Sequence, residues 1–455
     1  MDISLFARGI KVKAPERTGA VEQMVAPGRI TLLLRQGEGS ACRALVKAGA
    51  SVREGQLVGE ATDDGAANLH SPIDGTVTAI DAVVDTDGNS VQALVIEAGS
   101  VEAAAGDENA PAEPEVDAEP LPRSAEELLE RIAKAGVVQG GRDGRSLALV
   151  LREARASRGF IAATASSIVK PLEHLAIRFC DVDPHLGSVA AAAESIGVDL
   201  GELELGIGAL AKVTDATNVH FVFDSGQSFP EIEKLAETAD WPVHRVDSRR
   251  YPLLAEPFVV QTVSGREPPT AFHRSHDSGT MVVDVNTVLE VSRAVRERQP
   301  VLERVVTVLG PTGRRLVKVR IGTSFAELAS YAGDEGDYRK VILGGPLSGV
   351  AHHTLDYPVT KTTDGITLLT RDEVATFENQ PCISCGLCAM VCPTRLVPGL
   401  LSRYCEFGEL EQAEAAHLFS CVECGCCAFV CPAGRSMVQF MIHGKTEITA
   451  ARRAS

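Results

Sequence analysis

Apolar and polar positions change period several times along this 455-residue chain, and the changes divide it into units. Over residues 1–100, short apolar runs are punctuated by Gly and Pro. Lys47 to Gly59 and His70 to Ile80, with alternation at Val77 and Ala79, predict β-hairpins. At Ser124 the period becomes helical. Ser124-Ala-Glu-Glu127 is a capping box, Leu128, Leu129 and Ile132 share one side, and Gly136 ends the helix. Beyond it, β-like runs at His174–Phe179, Val219–Phe223, Val243–Val246 and Met281–Val285 alternate with helical patterns at Ser188–Ile196 and Pro230–Thr238. That alternation predicts an α/β domain with a mostly parallel sheet. Residues 300–355 read as strands Val305–Leu309 and Leu316–Ile321, a helix capped by Ser324-Phe-Ala-Glu327, and the run Lys340 to Gly345, which fits a small β-grasp module. His352 and His353 are adjacent on an extended segment and should point opposite ways, so a solvated loop is expected there rather than a metal pair. Between Leu396 and Phe419, helical segments break near Gly408.

Composition narrows the class. Hydrophobic content of 45% and charged content of 23% are ordinary for a globular protein of three or four domains. The net charge of −17 disfavours nucleic acid and suits partners with basic patches. Much of it comes from residues 101–121, VEAAAGDENAPAEPEVDAEPL, an expected flexible acidic linker. No apolar run is long enough to span a bilayer, and the first residues lack the apolar core of a secretory signal. The expectation is a cytoplasmic, reducing setting, with membrane contact only through other subunits.

Eight of the twelve cysteines carry the chemistry. They form two matched runs, Cys382-x-x-Cys385-x-x-Cys388-x-x-x-Cys392-Pro393 and Cys421-x-x-Cys424-x-x-Cys427-x-x-x-Cys431-Pro432. This is the thiolate spacing of a bacterial two-cluster ferredoxin, in which the fourth cysteine reaches the other cluster. One [4Fe–4S] cluster is therefore assigned to Cys382, Cys385, Cys388 and Cys431, and the other to Cys421, Cys424, Cys427 and Cys392. Zinc knuckles also use C-x-x-C pairs, but zinc gives no reason for a third step followed by Cys-Pro in both copies. Cys405 is expected in helix core and Cys426 as a spare beside a ligand.

The order of parts resembles the RnfC family, a component of the Rnf-type membrane electron transport complex, the ion-translocating ferredoxin:NAD oxidoreductase. The likeness is carried by FARGI, HSPIDGTV, ELLERIAKAGVV, VILGGPLSG, both cysteine runs, and the tail from Met437 to Ile448. It implies a multidomain α+β chain: a barrel-sandwich domain (1–100) like those of lipoyl and biotinyl carriers, the linker (101–121) and a Rossmann-like α/β domain (122–295). A β-grasp module (300–355) and a helical two-cluster ferredoxin domain (372–446) follow. Glu60 to Ile80 contain no lysine, so the first domain is expected to dock rather than carry a swinging arm.

The resemblance also implies FMN and NADH, but three of the family's signatures are altered around that pocket. The glycine-rich phosphate loop is reduced to Gly140, Gly141 and Gly144, with Asp143 among them. An acidic element becomes Arg178-Phe-Cys-Asp-Val-Asp-Pro184, and a Tyr-Pro-x-Gly-Gly element becomes Tyr251-Pro252-Leu-Leu-Ala255. These departures weigh against flavin and nicotinamide. The expected role is an electron relay on the cytoplasmic side of the cell membrane. It would connect a redox partner (NADH, ferredoxin or a cytochrome) with membrane subunits that move Na+ or H+. The competing readings are a soluble FMN/iron–sulfur reductase such as a cobalamin reductase, in which the barrel domain follows the clusters, and a scaffold stapled by its clusters.

Overall fold

The computed structural model describes residues 9–13, 20–37, 39–85, 88–99, 122, 124–140, 144–156, 172–195, 200–268, 275–333, 336, 338–374 and 380–454. The acidic linker at 101–121 lies outside the described residues. In the N-terminal unit, Arg29–Leu33, Ser90–Ala98, Gly75–Val84 and Ser51–Val52 pair in that order as an antiparallel sheet. A second sheet joins Arg43–Ala44, Leu57–Glu60 and Leu69–His70. Ile30, Leu32, Val52, Val58, Leu69, Val77, Leu94 and Ile96 are buried between them, because alternate residues of each strand face inward.

Helix Ala125–Ala135 is fixed at both ends by its sequence. The Glu127 amide donates to Ser124 Oγ, the Ser124 amide donates to the Glu127 carboxylate, and Gly136 turns left-handed at φ 68°. Its buried face of Leu128, Leu129, Ile132 and Ala135 merges the barrel core with the core of the α/β unit. That unit holds four parallel strands in spatial order Val243–Val246, Asn218–Asp224, His174–Arg178, Thr280–Asp284. In chain order this is three-two-one-four, the doubly wound arrangement. Its topological switch point falls between His174–Arg178 and Thr280–Asp284. Helix Leu200–Thr214, which the sequence pattern did not predict, packs on helix Val285–Arg296. Three glycines interrupt its pattern, and one of them explains the contact: a Cβ on Gly206 would stand 2.3 Å from the Val288 carbonyl oxygen.

A six-stranded sheet follows, in order Val350–His352, Tyr338–Leu343, Gly365–Thr370, Glu303–Gly310, Gly313–Arg320, Glu22–Gln23. Helix Phe325–Tyr331, with the Ser324/Glu327 capping box, packs against Glu303–Gly310. Two features depart from the sequence reading. Gly365–Thr370 runs parallel to Glu303–Gly310 in the middle of the sheet, so the module extends beyond residue 355. His352 is not in a solvated loop. It belongs to a strand paired with Val341, is buried, and stacks on His353 with ring centroids 4.5 Å apart. The C-terminal unit is helical: Leu387–Val391, Pro398–Glu406, Leu410–Ala415, Cys426–Phe429 and Met437–Ala454. The break between Pro398–Glu406 and Leu410–Ala415 lies at Phe407 to Glu409, where Gly408 takes φ 72°.

Lys361 joins three of these units. Its side chain is fully buried, and Nζ donates to the carbonyls of Asn68 in the barrel and Gly136 after the first helix, both at 2.7 Å. Its amide donates to Gln36 Oε1. Burial lowers the ammonium to about 8, against the nearby charge of Glu290, so it remains cationic at neutral pH. Replacing it, Lys361→Met, leaves two buried carbonyls without donors. The expected loss is about 2–5 kcal/mol in urea unfolding, and an unchanged midpoint would show that the junction does not depend on the ammonium.

A histidine ladder crosses the parallel sheet, with His174 Nδ1 2.9 Å from His220 Nε2 and His220 Nδ1 3.1 Å from His244 Nε2. Burial, then the neighbouring imidazoles, pushes His220 down to about 4. The unfolded chain takes up that proton near pH 6.5, while the folded ladder refuses it until about pH 4. Stability should therefore fall as pH drops through this window. The only tryptophan, Trp241, packs on Phe221 of the same sheet with centroids 5.3 Å apart. Its fluorescence in urea at pH 7.5 and pH 5 should show the drop, and His220→Gln should shrink it.

Candidate metal centre

The two cysteine runs trace the same backbone path. Ser384 and Glu423 both take φ 56°, Gly386 and Gly425 take 75° and 79°, and Arg395 and Gly434 take 59° and 57°. A left-handed Ser or Glu costs roughly 1–2 kcal/mol, so the turn is held by something. In each run the amide of that residue donates to the first thiol at 3.4 Å, Ser384 to Cys382 and Glu423 to Cys421. Gly386 and Gly425 then open short helices that carry Cys388 and Cys427. The first two cysteines of each run are thus on a loop and the third is on a helical turn.

These paths gather the cysteines in two groups. Cys382, Cys385, Cys388 and Cys431 line one cavity of about 30 Å³, with Ile383, Pro432 and Met437. Cys392, Cys421, Cys424 and Cys427 line a second of about 20 Å³, with Pro398 and Met441. Each group takes its fourth cysteine from the other run. The nests differ in access: Cys382 and Cys385 are exposed, whereas Cys392 and Cys427 are buried. Burial raises the Cys388 thiol and pushes Cys421 up to about 11, opposed at Cys421 by Lys445. Four such thiols ionise together only around a positively charged centre. Two groups of four thiols, each completed from the other run, are a donor set that fits a polynuclear iron–sulfur core.

The other cysteines and cations of this unit pack or brace. Cys405 is buried where the helix Pro398–Glu406 meets Gly444, whose added Cβ would stand 2.5 Å from its sulfur. Lys445 Nζ donates to the Cys421 carbonyl at 2.6 Å and to Glu423 at 2.7 Å. Arg435 pairs with Glu406 and donates to the Gln380 carbonyl beside the first nest. Cys426 is fully buried with its thiol 3.8 Å from the Tyr251 carbonyl. Strand Ile10–Lys11 pairs with Arg250–Tyr251, and the Gly9 amide donates to the Val391 carbonyl. Cys426 and the chain's first strand thus anchor the cysteine unit to the α/β unit. No sequence motif marked that contact, because its partners are about 180 and 380 positions away.

A larger cavity, about 470 Å³, opens at the switch point of the parallel sheet and reaches Glu423 and Ile442 beside the second nest. Arg178, at the end of its strand, donates from Nε to Asp284 Oδ1 and from Nη1 to the Leu254 carbonyl, both at 2.7 Å. Burial alone would lower the guanidinium, but the Asp284 carboxylate beside it keeps it charged. Of the glycines expected to cradle phosphate, Gly140 abuts the Asp284 carboxylate, 3.0 Å from where its Cβ would be. Gly144, at φ 58°, packs against the Gln36 carbonyl and Gly37. Gly141 and Asp143 lie outside the described residues.

Comparison with known proteins places these parts in context. Residues 5–100 match the RnfC barrel sandwich hybrid domain. The C component of an ion-translocating oxidoreductase complex from Rhodobacter capsulatus is 28% identical over 409 residues, 86% of this chain and 73% of the relative. The C component of the proton-translocating ferredoxin:NAD(+) oxidoreductase complex of Clostridium ljungdahlii is 28% identical over 438 residues, 95% and 90% of the two. The corresponding Pseudomonas aeruginosa chain is 31% identical over 456 residues, and this chain spans 55% of its length.

The Arg178–Asp284 pair sets the expectation for the switch point. Arg178→Leu strands a buried carboxylate and should cost about 3–5 kcal/mol, read by Trp241 fluorescence in urea. A loss within experimental error would mean that the carboxylate finds another partner.

Proposed function

We propose that this chain, a relative of the RnfC components of ion-translocating oxidoreductase complexes, is a peripheral electron-transfer protein of such an assembly. It passes electrons one at a time between a redox partner and membrane-embedded subunits that move Na+ or H+. The observation that carries the reading is the pair of four-thiol nests, each completed by a cysteine of the other run. Cys382, Cys385, Cys388 and Cys431 would hold one [4Fe–4S] cluster, and Cys421, Cys424, Cys427 and Cys392 the other. Bound there, each cluster supplies a reversible one-electron carrier.

The chain's own residues set where and how easily the electron rests. Amides of Ser384, Leu396 and Glu423 donate to the sulfurs of Cys382, Cys392 and Cys421 at 3.3–3.4 Å. Such donors favour the more negative, reduced state and raise the potential. Met437 lines one nest and Met441 the other, and such apolar walls act the other way. Crossing of the fourth cysteines holds the two sites at a fixed separation. No proton transfer, nucleophile or acid is needed. Among the described residues no helix is long and apolar enough to cross a membrane. The exposed Cys382/Cys385 nest supports an outward-facing terminus, and the buried Cys392/Cys427 nest an inward one.

Metal analysis of anaerobically prepared protein tests the assignment. The intact chain should carry about eight irons and eight acid-labile sulfides. Cys385→Ala and Cys431→Ala should each remove half of the iron and leave the same electron paramagnetic resonance signal. Cys392→Ala should leave the complementary signal, and Cys405→Ala should keep both. Zinc in place of iron, or different surviving signals for Cys385→Ala and Cys431→Ala, would overturn the assignment.

A further inference from the structure

The cavity at the switch point is where an open α/β sheet ordinarily receives a nucleotide, outside the carboxyl ends of its strands. Two features of such crevices bind phosphate: the N-terminus of the helix after the first strand, and turns that expose consecutive backbone amides. Both are present here, and both are filled by carboxylates of this chain.

The helix Ser188–Ser195 follows strand His174–Arg178. At its N-terminus Asp181 accepts from Ser188 Oγ at 2.9 Å, from the Val189 amide at 3.2 Å and from the Ala190 amide at 3.4 Å. The glycine-rich turn Gly344 to Gly349 forms the second amide cradle. Its Leu347 and Ser348 amides donate to Asp183 Oδ2 at 2.8 and 3.2 Å. A Cβ on Gly345 would lie 2.3 Å from that same oxygen, so the turn is shaped around this carboxylate. Asp183 Oδ1 accepts from the His185 amide at 3.0 Å and lies 2.8 Å from its ring nitrogen. Both aspartates are buried.

The remaining charges point the same way. Among the described residues lining the cavity, Asp181, Asp183, Asp364 and Glu423 face a single cation, Arg178. Arg178 is already committed to Asp284. Asp364 is held by Arg304, which also meets Glu290, and Glu423 by Lys445. A phosphate entering here finds its amide donors taken and no uncommitted cation along the described lining. FMN and NADH both bring phosphate, and so neither fits the residues present.

We infer that this cavity excludes flavin phosphates and nicotinamide dinucleotides, so that electrons enter and leave this chain singly, through the cysteine nests. The inference rests on the iron–sulfur reading for its second half only. It adds that the redox partner is a one-electron carrier and not a hydride donor. Each transfer moves one electron from a reduced carrier to one cluster, with no bond made or broken and no proton taken up.

The test uses the full chain with its clusters, prepared without oxygen. FMN is titrated against it and its fluorescence followed. NADH, and then reduced methyl viologen, are added while the visible absorption of the clusters is recorded. The expected result is unquenched FMN, no bleaching by NADH, and bleaching by two equivalents of viologen radical per chain, one for each cluster. Saturable FMN quenching at one per chain, or bleaching by NADH alone, overturns the inference. An iron-free preparation would instead defeat the electron-relay reading, and the FMN titration on that same protein would still decide the cavity.

Discussion

A buried ammonium has to be surrounded by acceptors or not be buried at all, and Lys361 imposes that constraint on the whole molecule. Its acceptors come from the barrel and from the end of the first helix, while the lysine itself belongs to the unit of the six-stranded sheet. Separating the three removes the ammonium's protein acceptors and opens the junction to water. The residues around it extend the same logic. Thr363 offers its carbonyl to Arg304, Asp364 takes the Arg304 guanidinium, and the Thr307 amide donates to the Asp364 carbonyl. The short segment from Thr360 to Asp364 therefore works as a polar hub inside an otherwise apolar junction.

That hub also borders the large cavity, since Thr360, Thr362 and Asp364 line it. Glu423 and Ile442 of the cysteine unit, itself held by strand Ile10–Lys11 and by Tyr251, line the same cavity. The cavity thus lies at the sheet's switch point and reaches the inner thiol nest. Its chemistry has been turned inward. Asp181 and Asp183 occupy the amide cradles, and burial with the nearby Asp364 charge raises Asp181 to about 6. Both amide cradles are filled by anions of the protein itself.

Much of the fold was legible because it is written locally. Capping boxes at Ser124 and Ser324 and the turn at Gly136 set helix ends within a few residues of themselves. The alternation from His174 to Asp284 read as a parallel sheet because strands buried on both faces are continuously apolar. Helix Leu200–Thr214 was missed because Gly206 exists for a neighbour, not for the helix. His352 was placed in solvent because its strand is defined by pairing with Val341 and not by its own pattern. The central strand Gly365–Thr370 was overlooked for the same reason.

The chain by itself set the two matched cysteine spacings. Two- and three-residue spacings fix which thiols can face a common point, and two identical runs leave each fourth cysteine beside the other group. It also determined the caps and the order of units. Only the tertiary structure decided which charges neutralise one another. Arg178 meets Asp284 across 106 positions, Asp183 meets Leu347 across 164, and Lys361 meets Asn68 across 293. Spacing along a backbone is a covalent property. The partner of a buried charge is chosen by whatever else is buried with it, and that exists only once the chain has folded.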